Sequence, residues 1–189
     1  MMENYEIDFV IPWVDNNDLA WKNEKEKYWI EEGKTPFKDG NQEARYRDWD
    51  NLKYWFRGIE KFTPWVNHVY FVTYGHVPAW LNADHPKLTI LKHEDYIPHE
   101  YLPVFQANPI EINFHRIPGL AEHFVYFNDD MFVIDRMEKE DFFLNGLPRE
   151  MAAMYLLTNN GKRDTFQYML FRMMGEVNSH FDLHNCVKR

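Results

Sequence analysis

Cysteine is nearly absent, with Cys186 the single one in 189 residues. Without a second thiol there is no intrachain disulfide and no cysteine-based zinc framework, and the expected setting is the reducing cytoplasm rather than the secretory route. Positive charge is also scarce. Aspartate and glutamate number 30 against 21 lysines and arginines, a formal charge of −9. That balance argues against a nucleic-acid binder working by phosphate neutralisation, yet allows one local basic cluster to hold one phosphate ligand. No stretch approaches the roughly 18 apolar residues of a membrane span, and the opening Met1-Met-Glu-Asn-Tyr-Glu6 lacks the basic region and apolar core of a signal peptide. No repeat or low-complexity tract appears. What is present is a chain 45% hydrophobic and 17% aromatic, enough for about one domain with a sizeable core. A single α/β domain over residues 1–189 is the expectation.

Four short β-rich runs stand out, each ending in polar residues. Ile7 to Ile11, interrupted by Asp8, leads to Trp13-Val14-Asp15-Asn16-Asn17-Asp18; Val69 to Thr73 leads to Tyr74-Gly75-His76; Leu88 to Leu91 leads to His93-Glu94-Asp95. Phe124 to Phe127 stops at Asn128-Asp129-Asp130. In open α/β sheets ligands gather outside the carboxyl ends of strands, so Asp129 and Asp130 can hold a hard cation and, through it, a phosphate. An ordinary turn explains Asn-Asp-Asp equally, since both residue types bond their own backbone. By the same logic Asp15 to Asp18 can touch a base or ribose, or can be a turn in which Asp18 caps the next helix. Gly75 would let a ligand approach the backbone, or simply form a turn. The histidines after the strands are expected at the surface.

Between the strands, Leu19 to Glu32 reads as a solvated helix contacting the core through Trp21, Tyr28 and Trp29, and residues 33–44 as an exposed mobile loop able to cover a site. Leu52, Trp55, Phe56, Ile59 and Phe62 fall on a helical period, in a helix expected to be capped by Asp48 or Asp50. Arg45, Arg47, Lys53 and Arg57 concentrate positive charge there, suited to an anionic ligand or to surface ion pairs. Asn108 as cap, Pro109 in the first turn, Glu111 three residues after the cap and Pro118-Gly119 as terminator predict a helix. It would put Glu111 and His115 on one face as a base with its orienter, although capping and an i,i+4 pair account for the same residues. Glu138 to Leu144 is expected to be a short helix, Met151 to Leu157 a last strand, and Thr165 to Val177 an amphipathic core helix.

Together these stretches resemble the Stealth family, sugar-1-phosphate transferases of bacterial capsule synthesis related to the catalytic subunit of N-acetylglucosamine-1-phosphotransferase. Ile7-Asp-Phe-Val-Ile-Pro-Trp13-Val14-Asp15-Asn-Asn-Asp18 is similar to the family's first conserved region. Arg45-Tyr-Arg-Asp48, Arg57 to Val66, Val72 to Asn82, Ile110 to Leu120 and Tyr126 to Asp130 are similar to its second, in consistent order over about 120 residues. The resemblance implies a glycosyltransferase-A-like, mostly parallel nucleotide-binding sheet flanked by helices, without the family's C-terminal part. It implies transfer of a sugar 1-phosphate from a nucleotide sugar, typically UDP-linked, to a glycan hydroxyl with release of UMP. The cofactor implied is Mg²⁺ or Mn²⁺ on Asp129 and Asp130. Glu111, Asp130, His115 and Arg116 are implied at the chemistry, and Trp13, Asp15, Asp18, Arg45, Asp48, Arg57, Thr73 and Gly75 at the donor. A UDP-sugar and a glycan acceptor are the implied partners, in the cytoplasm or peripherally at the membrane's inner face beside a capsule assembly complex.

Three departures qualify the match. Asp15-Asn16 stands where members have Asp-Gly or Asn-Gly, a turn that Asn can keep by adopting positive φ. Pro12 replaces a threonine, and Tyr74 and His76 replace polar residues, leaving the donor open. The family's third and fourth conserved regions, with a His and an Arg, have no counterpart before Arg189, so the chain is expected to be a fragment or a compact member. A metal-dependent glycosyltransferase and a non-catalytic nucleotide-sugar or glycan-binding module are the competing readings.

Overall fold

The computed structural model describes residues 5–31, 49–150 and 165–181. The chain divides into two units, Met1–Arg149 and Glu150–Arg189. The expected loop over 33–44, the expected strand over 151–157, and Arg45 and Asp48 lie outside the described residues.

The first unit is built on a four-stranded parallel sheet of β1 (Ile7–Pro12), β2 (Val69–Thr73), β3 (Leu88–Lys92) and β4 (His123–Tyr126), in the order β3-β2-β1-β4. The four expected strands are therefore present, and the mostly parallel α/β class is the one found. Phe9 pairs with Val69 and with Val125, so β1 is hydrogen-bonded on both sides. A strand so placed reads as a continuous apolar run rather than an alternating one. Its one acid, Asp8, is fully buried, and both carboxylate oxygens are used: Asn67 Nδ2 donates at 2.8 Å and the Ala121 N–H at 2.7 Å. That side chain ties together the segments entering β2 and β4.

Successive side chains of β1 face opposite ways. Ile7, Phe9 and Ile11 join Phe71, Phe127, Val133 and Phe143 on one face, against Leu52, Trp55 and Ile59 of α2 (Leu52–Phe62). Val10 points to the other face, with Tyr70, Val72, Leu91, Tyr96, Phe114 and Ile117. The helical period seen over Leu52 to Phe62 is thus core packing. Asp50 does not cap this helix: the cap is Asn51 without a side-chain bond, while Asp50 adopts φ 53° and pairs with Lys53 at 2.5 Å. Helix α1 (Leu19–Glu31) buries Trp21 and Lys25, with Trp21 and Tyr28 against Phe105.

The predicted helix over 108–117 is interrupted. Only α3 (Ala107–Glu111) is α-helical, with Gln106 at its cap, and a separate 3₁₀ turn covers Phe114–Arg116. The physical reason is Asn113, whose side-chain Nδ2 donates to the Pro109 carbonyl at 2.8 Å. A continued helix would give that acceptor to the Asn113 backbone N–H, and the side chain competes for it. After β4, α4 (Lys139–Phe142) is shorter than expected and runs into a hairpin of β5 (Phe143–Leu144) and β6 (Leu147–Pro148). Asn145 and Gly146 at φ 53° and 75° supply the two positive φ values of a tight turn whose twist suits a hairpin.

In the second unit α5 (Thr165–His180) is helical as expected but not a core helix. Tyr168, Phe171, Met173, Met174 and Val177 are all exposed.

Candidate active site

The order β3-β2-β1-β4 reverses direction between β1 and β4, and such a reversal opens a crevice outside the carboxyl ends of the strands. Three polar exits meet that rim: Trp13 to Asp18 after β1, Tyr74 to His76 after β2, and Asn128 to Asp130 after β4.

At the β4 exit the Tyr126 hydroxyl donates to Glu111 Oε1 at 2.7 Å and also reaches the Asn128 side-chain oxygen, so one proton serves two acceptors. Burial, then the bond to Glu111, then the charges of Glu111, Asp129 and Asp130 push the Tyr126 phenol above its ordinary value. Among the described residues the charged groups acting on it are all carboxylates. Tyr126 therefore remains a donor throughout the neutral range, and the three acids share one neighbourhood. In the sequence Tyr126 sits inside the apolar run from Phe124 to Phe127, which hides this role. Its alternation was the available signal, since Val125 belongs to one face of the sheet and Tyr126 to the other, beside Phe114.

Glu111 and His115 are not paired. The interruption at Asn113 separates them, and His115 Nδ1 instead donates to the Ile112 carbonyl at 2.8 Å. Arg116 is exposed at the end of the same 3₁₀ turn. Arg57 is exposed on α2, its guanidinium 5.6 Å from the centre of the Tyr54 ring.

A cation would find oxygen donors at Asn128, Asp129 and Asp130, all exposed. Among the described residues no group of three or more His, Cys, Asp or Glu forms a protein cage for a metal. The set nevertheless fits Mg²⁺ or Mn²⁺ held as Mg²⁺ often is, by one or two carboxylates completed by water and substrate phosphate.

At the β1 exit a cavity of about 170 Å³ is lined by Trp13, Asp15, Asn17, Asp50, Leu52 and Trp80, with Pro78 and Ala79. Trp13 stacks on Phe71 at 5.8 Å, which fixes one wall. Asp15 Oδ1 accepts from the Asn17 N–H at 2.7 Å, closing a tight turn. Asn16 does not use positive φ; among the described non-glycine residues only Asp50 and Asn145 do. Asp18 is the cap of α1, accepting from the Ala20 and Trp21 N–H groups at 2.8 and 3.1 Å. The Trp21 N–H in particular holds its carboxyl below the usual value, against the opposing effect of desolvation. Among the described residues the lining has two carboxylates, Asp50 paired with Lys53, and no cation, so this part of it suits an uncharged, hydroxyl-bearing group better than a phosphate.

At the β2 exit Thr73 is fully buried and its Oγ1 accepts from the Gly75 N–H at 3.0 Å. Gly75 has φ +115°, which disfavours any side chain although a Cβ would find ordinary space 3.5 Å from Lys92. Two histidines expected at the surface are not there. His93 is 9% exposed, edge-on to the Tyr74 ring, and burial, with a smaller effect of His76, lowers it to about 4. His76 is bonded into the β1 exit at both ring nitrogens.

Residues 45–150 match the family model described as Stealth protein CR2, conserved region 2. The chain belongs to the Stealth family. It is 49% identical over 175 residues to the capsular polysaccharide phosphotransferase WcwK of Streptococcus pneumoniae, covering 93% of this chain and 51% of that protein. It is 48% identical over 177 residues to the receptor polysaccharide phosphotransferase WefC of Streptococcus gordonii, covering 93% of this chain and 52% of the relative. A third relative, the capsular polysaccharide phosphotransferase CpsJ of Streptococcus thermophilus, is 49% identical over 146 residues, 77% of this chain and 61% of its own length. The chain thus spans about half the length of the first two relatives. The Stealth region contains Glu111, Tyr126 and Asp130, while the Trp13 to Asp18 exit precedes it.

Proposed function

We propose that this Stealth chain carries the donor-handling centre of a sugar-1-phosphate transferase acting on a capsular or other cell-surface glycan. One observation carries the reading: in a relative of named polysaccharide phosphotransferases, a hydroxyl-suited cavity and a carboxylate centre stand at the carboxyl ends of adjacent parallel strands. The cavity would take the nucleoside of a UDP-sugar, and its diphosphate would extend toward Asn128 to Asp130. Mg²⁺ or Mn²⁺ held by Asp130 and Asp129 would offset the diphosphate charge.

In the reaction the acceptor oxygen bonds to the phosphorus that carries the sugar, the bridging oxygen leaves with UMP, and the acceptor proton passes to a base. Glu111 is the base this geometry favours. Tyr126 fixes its carboxylate by one hydrogen bond while leaving Oε2 for the acceptor. His115, turned to the Ile112 carbonyl, does not orient it. Arg116, exposed at the end of the 3₁₀ turn, would offset phosphate charge. Such an enzyme would work in the cytoplasm, at the inner face of the membrane where glycan intermediates are assembled. Among the described residues no helix is long and apolar enough to cross a membrane.

The deciding experiment is incubation with UDP-sugars, Mg²⁺ and a glycan acceptor, scored for the nucleotide released. UMP with a new phosphodiester supports the reading. UDP as sole nucleotide product would mean cleavage of the sugar carbon to oxygen bond, hence an ordinary glycosyltransferase. Donor binding without turnover would mean a binding module.

A further inference from the structure

We propose that His76 is a positioning residue for the donor, holding the β1–α1 turn in the shape that forms the nucleoside cavity. This rests on the donor reading given above. The ring joins two strand exits that are far apart in sequence. Its Nε2 accepts the Asp15 backbone N–H at 2.8 Å, which leaves the ring proton on Nδ1, 3.2 Å from Asp18 Oδ2. Trp13 stands edge-on to the same ring at 5.3 Å and 88°. His76 therefore touches Trp13, Asp15 and Asp18, all three implied at the donor, yet it does not line the cavity itself.

The consequence follows from hydrogen-bond accounting. The Asp15 N–H is used by His76, and Asp18 is used by the α1 cap on one oxygen and by His76 on the other. The Asp15 N–H is thereby unavailable to a ligand, and the Asp18 carboxylate is held on both oxygens between the α1 cap and the ring, outside the cavity lining. Of the two carboxylates in the turn, Asp15 faces the cavity, with Oδ1 on the Asn17 N–H and Oδ2 available to a hydroxyl. The ring thus selects which acid meets the donor. The β2 exit helps hold it, since the Gly75 backbone at φ +115° sets where the next residue begins.

The test compares H76A, H76Q and H76N in the full chain. Gln extends an amide oxygen to where Nε2 stands and can accept from Asp15; Asn places its amide nitrogen where Nδ1 stands and can donate only to Asp18. Affinity for UDP-glucose and UDP-N-acetylglucosamine is measured by calorimetry, beside thermal midpoints and the split of kcat from donor KM. H76A is expected to weaken donor binding about tenfold or more, the order of a lost hydrogen-bonded positioning contact, with kcat at saturating donor within about twofold. H76Q should recover most of the affinity and H76N less. Nitrogen chemical shifts of the wild-type ring should report the Nδ1–H tautomer with Nε2 as acceptor. Donor affinity unchanged in H76A, equal recovery by Gln and Asn, a loss confined to kcat, or the Nε2–H tautomer would each overturn the proposal. Wild-type protein that binds no UDP-sugar would sink the donor reading and this inference with it, whereas wild-type binding matched by H76A would sink only the role of His76.

Discussion

At the scale of single residues, the centre depends on which atoms already have partners. Tyr126→Phe keeps the ring against Phe114 and removes only the hydroxyl that holds Glu111. A hydrogen bond to a charged group is worth about 1.5–3 kcal/mol net, and less where water can replace the lost donor. Glu111 is half-buried, so the fold should lose about 1 kcal/mol by denaturant titration. Turnover should fall about tenfold or more with donor affinity nearly unchanged, because a freed carboxylate is no longer preset toward the acceptor. A drop in stability without a drop in kcat would make Tyr126 a packing residue. Asp130→Asn tests the cation reading separately. The residue is exposed, so its thermal midpoint should hold while Mg²⁺-dependent donor binding and turnover are lost. Full Mg²⁺-dependent turnover in that variant would remove Asp130 from the centre.

At the scale of elements, the segment after β4 is laid across α2 at one close contact. A Cβ on Gly58 would stand 2.6 Å from the Val133 backbone oxygen, closer than real Cβ contacts come. Farther along, the Met137 N–H donates to the Phe62 carbonyl and Trp65 Nε1 to the Met137 carbonyl. Replacing an interior helical glycine by alanine would ordinarily gain about 1 kcal/mol of helix propensity. Here the overlap involves backbone, which cannot rotate aside, and overpacking of this kind costs about 1–3 kcal/mol. Gly58→Ala is therefore expected to destabilise the protein by about 1 kcal/mol in denaturant titration. An increase in stability would show that the segment from 131 to 137 shifts freely. Because that segment begins next to Asp130, the same variant should also weaken donor binding, through displacement of the β4 exit.

For the whole molecule, the parts legible in the sequence were those set by local pattern. The four strands announced themselves by apolar runs ending in polar residues, and the central place of β1 follows from burying all of Ile7 to Ile11, Asp8 included because both of its carboxylate oxygens are satisfied. The Glu111 to His115 pairing failed because a helical period survives in side-chain burial even where one competing asparagine breaks the helix. His76 and His93 leave the surface because the β1 and β2 exits meet at the first and the β2 and β3 exits at the second, which nothing in their neighbours in sequence reveals. His93 offers a check on that convergence. Burial lowers it to about 4, from an ordinary value near 6.5. Between those two values the unfolded chain binds the proton and the folded one does not, so stability falls as pH falls through that window, by about 3 kcal/mol in all. Above 6.5 both states are neutral and the contribution is fully present; below 4 both are protonated and it is gone. Carboxyl groups elsewhere contribute to pH dependence at the acid end of that range, so the measurement is a difference between wild type and His93→Gln in denaturant titrations from pH 7.5 to 4. The stability advantage of the wild type over the variant is expected to shrink by about 3 kcal/mol across that range. A difference that stays constant with pH would mean that the ring is hydrated in solution, and that the β2 and β3 exits do not close over it.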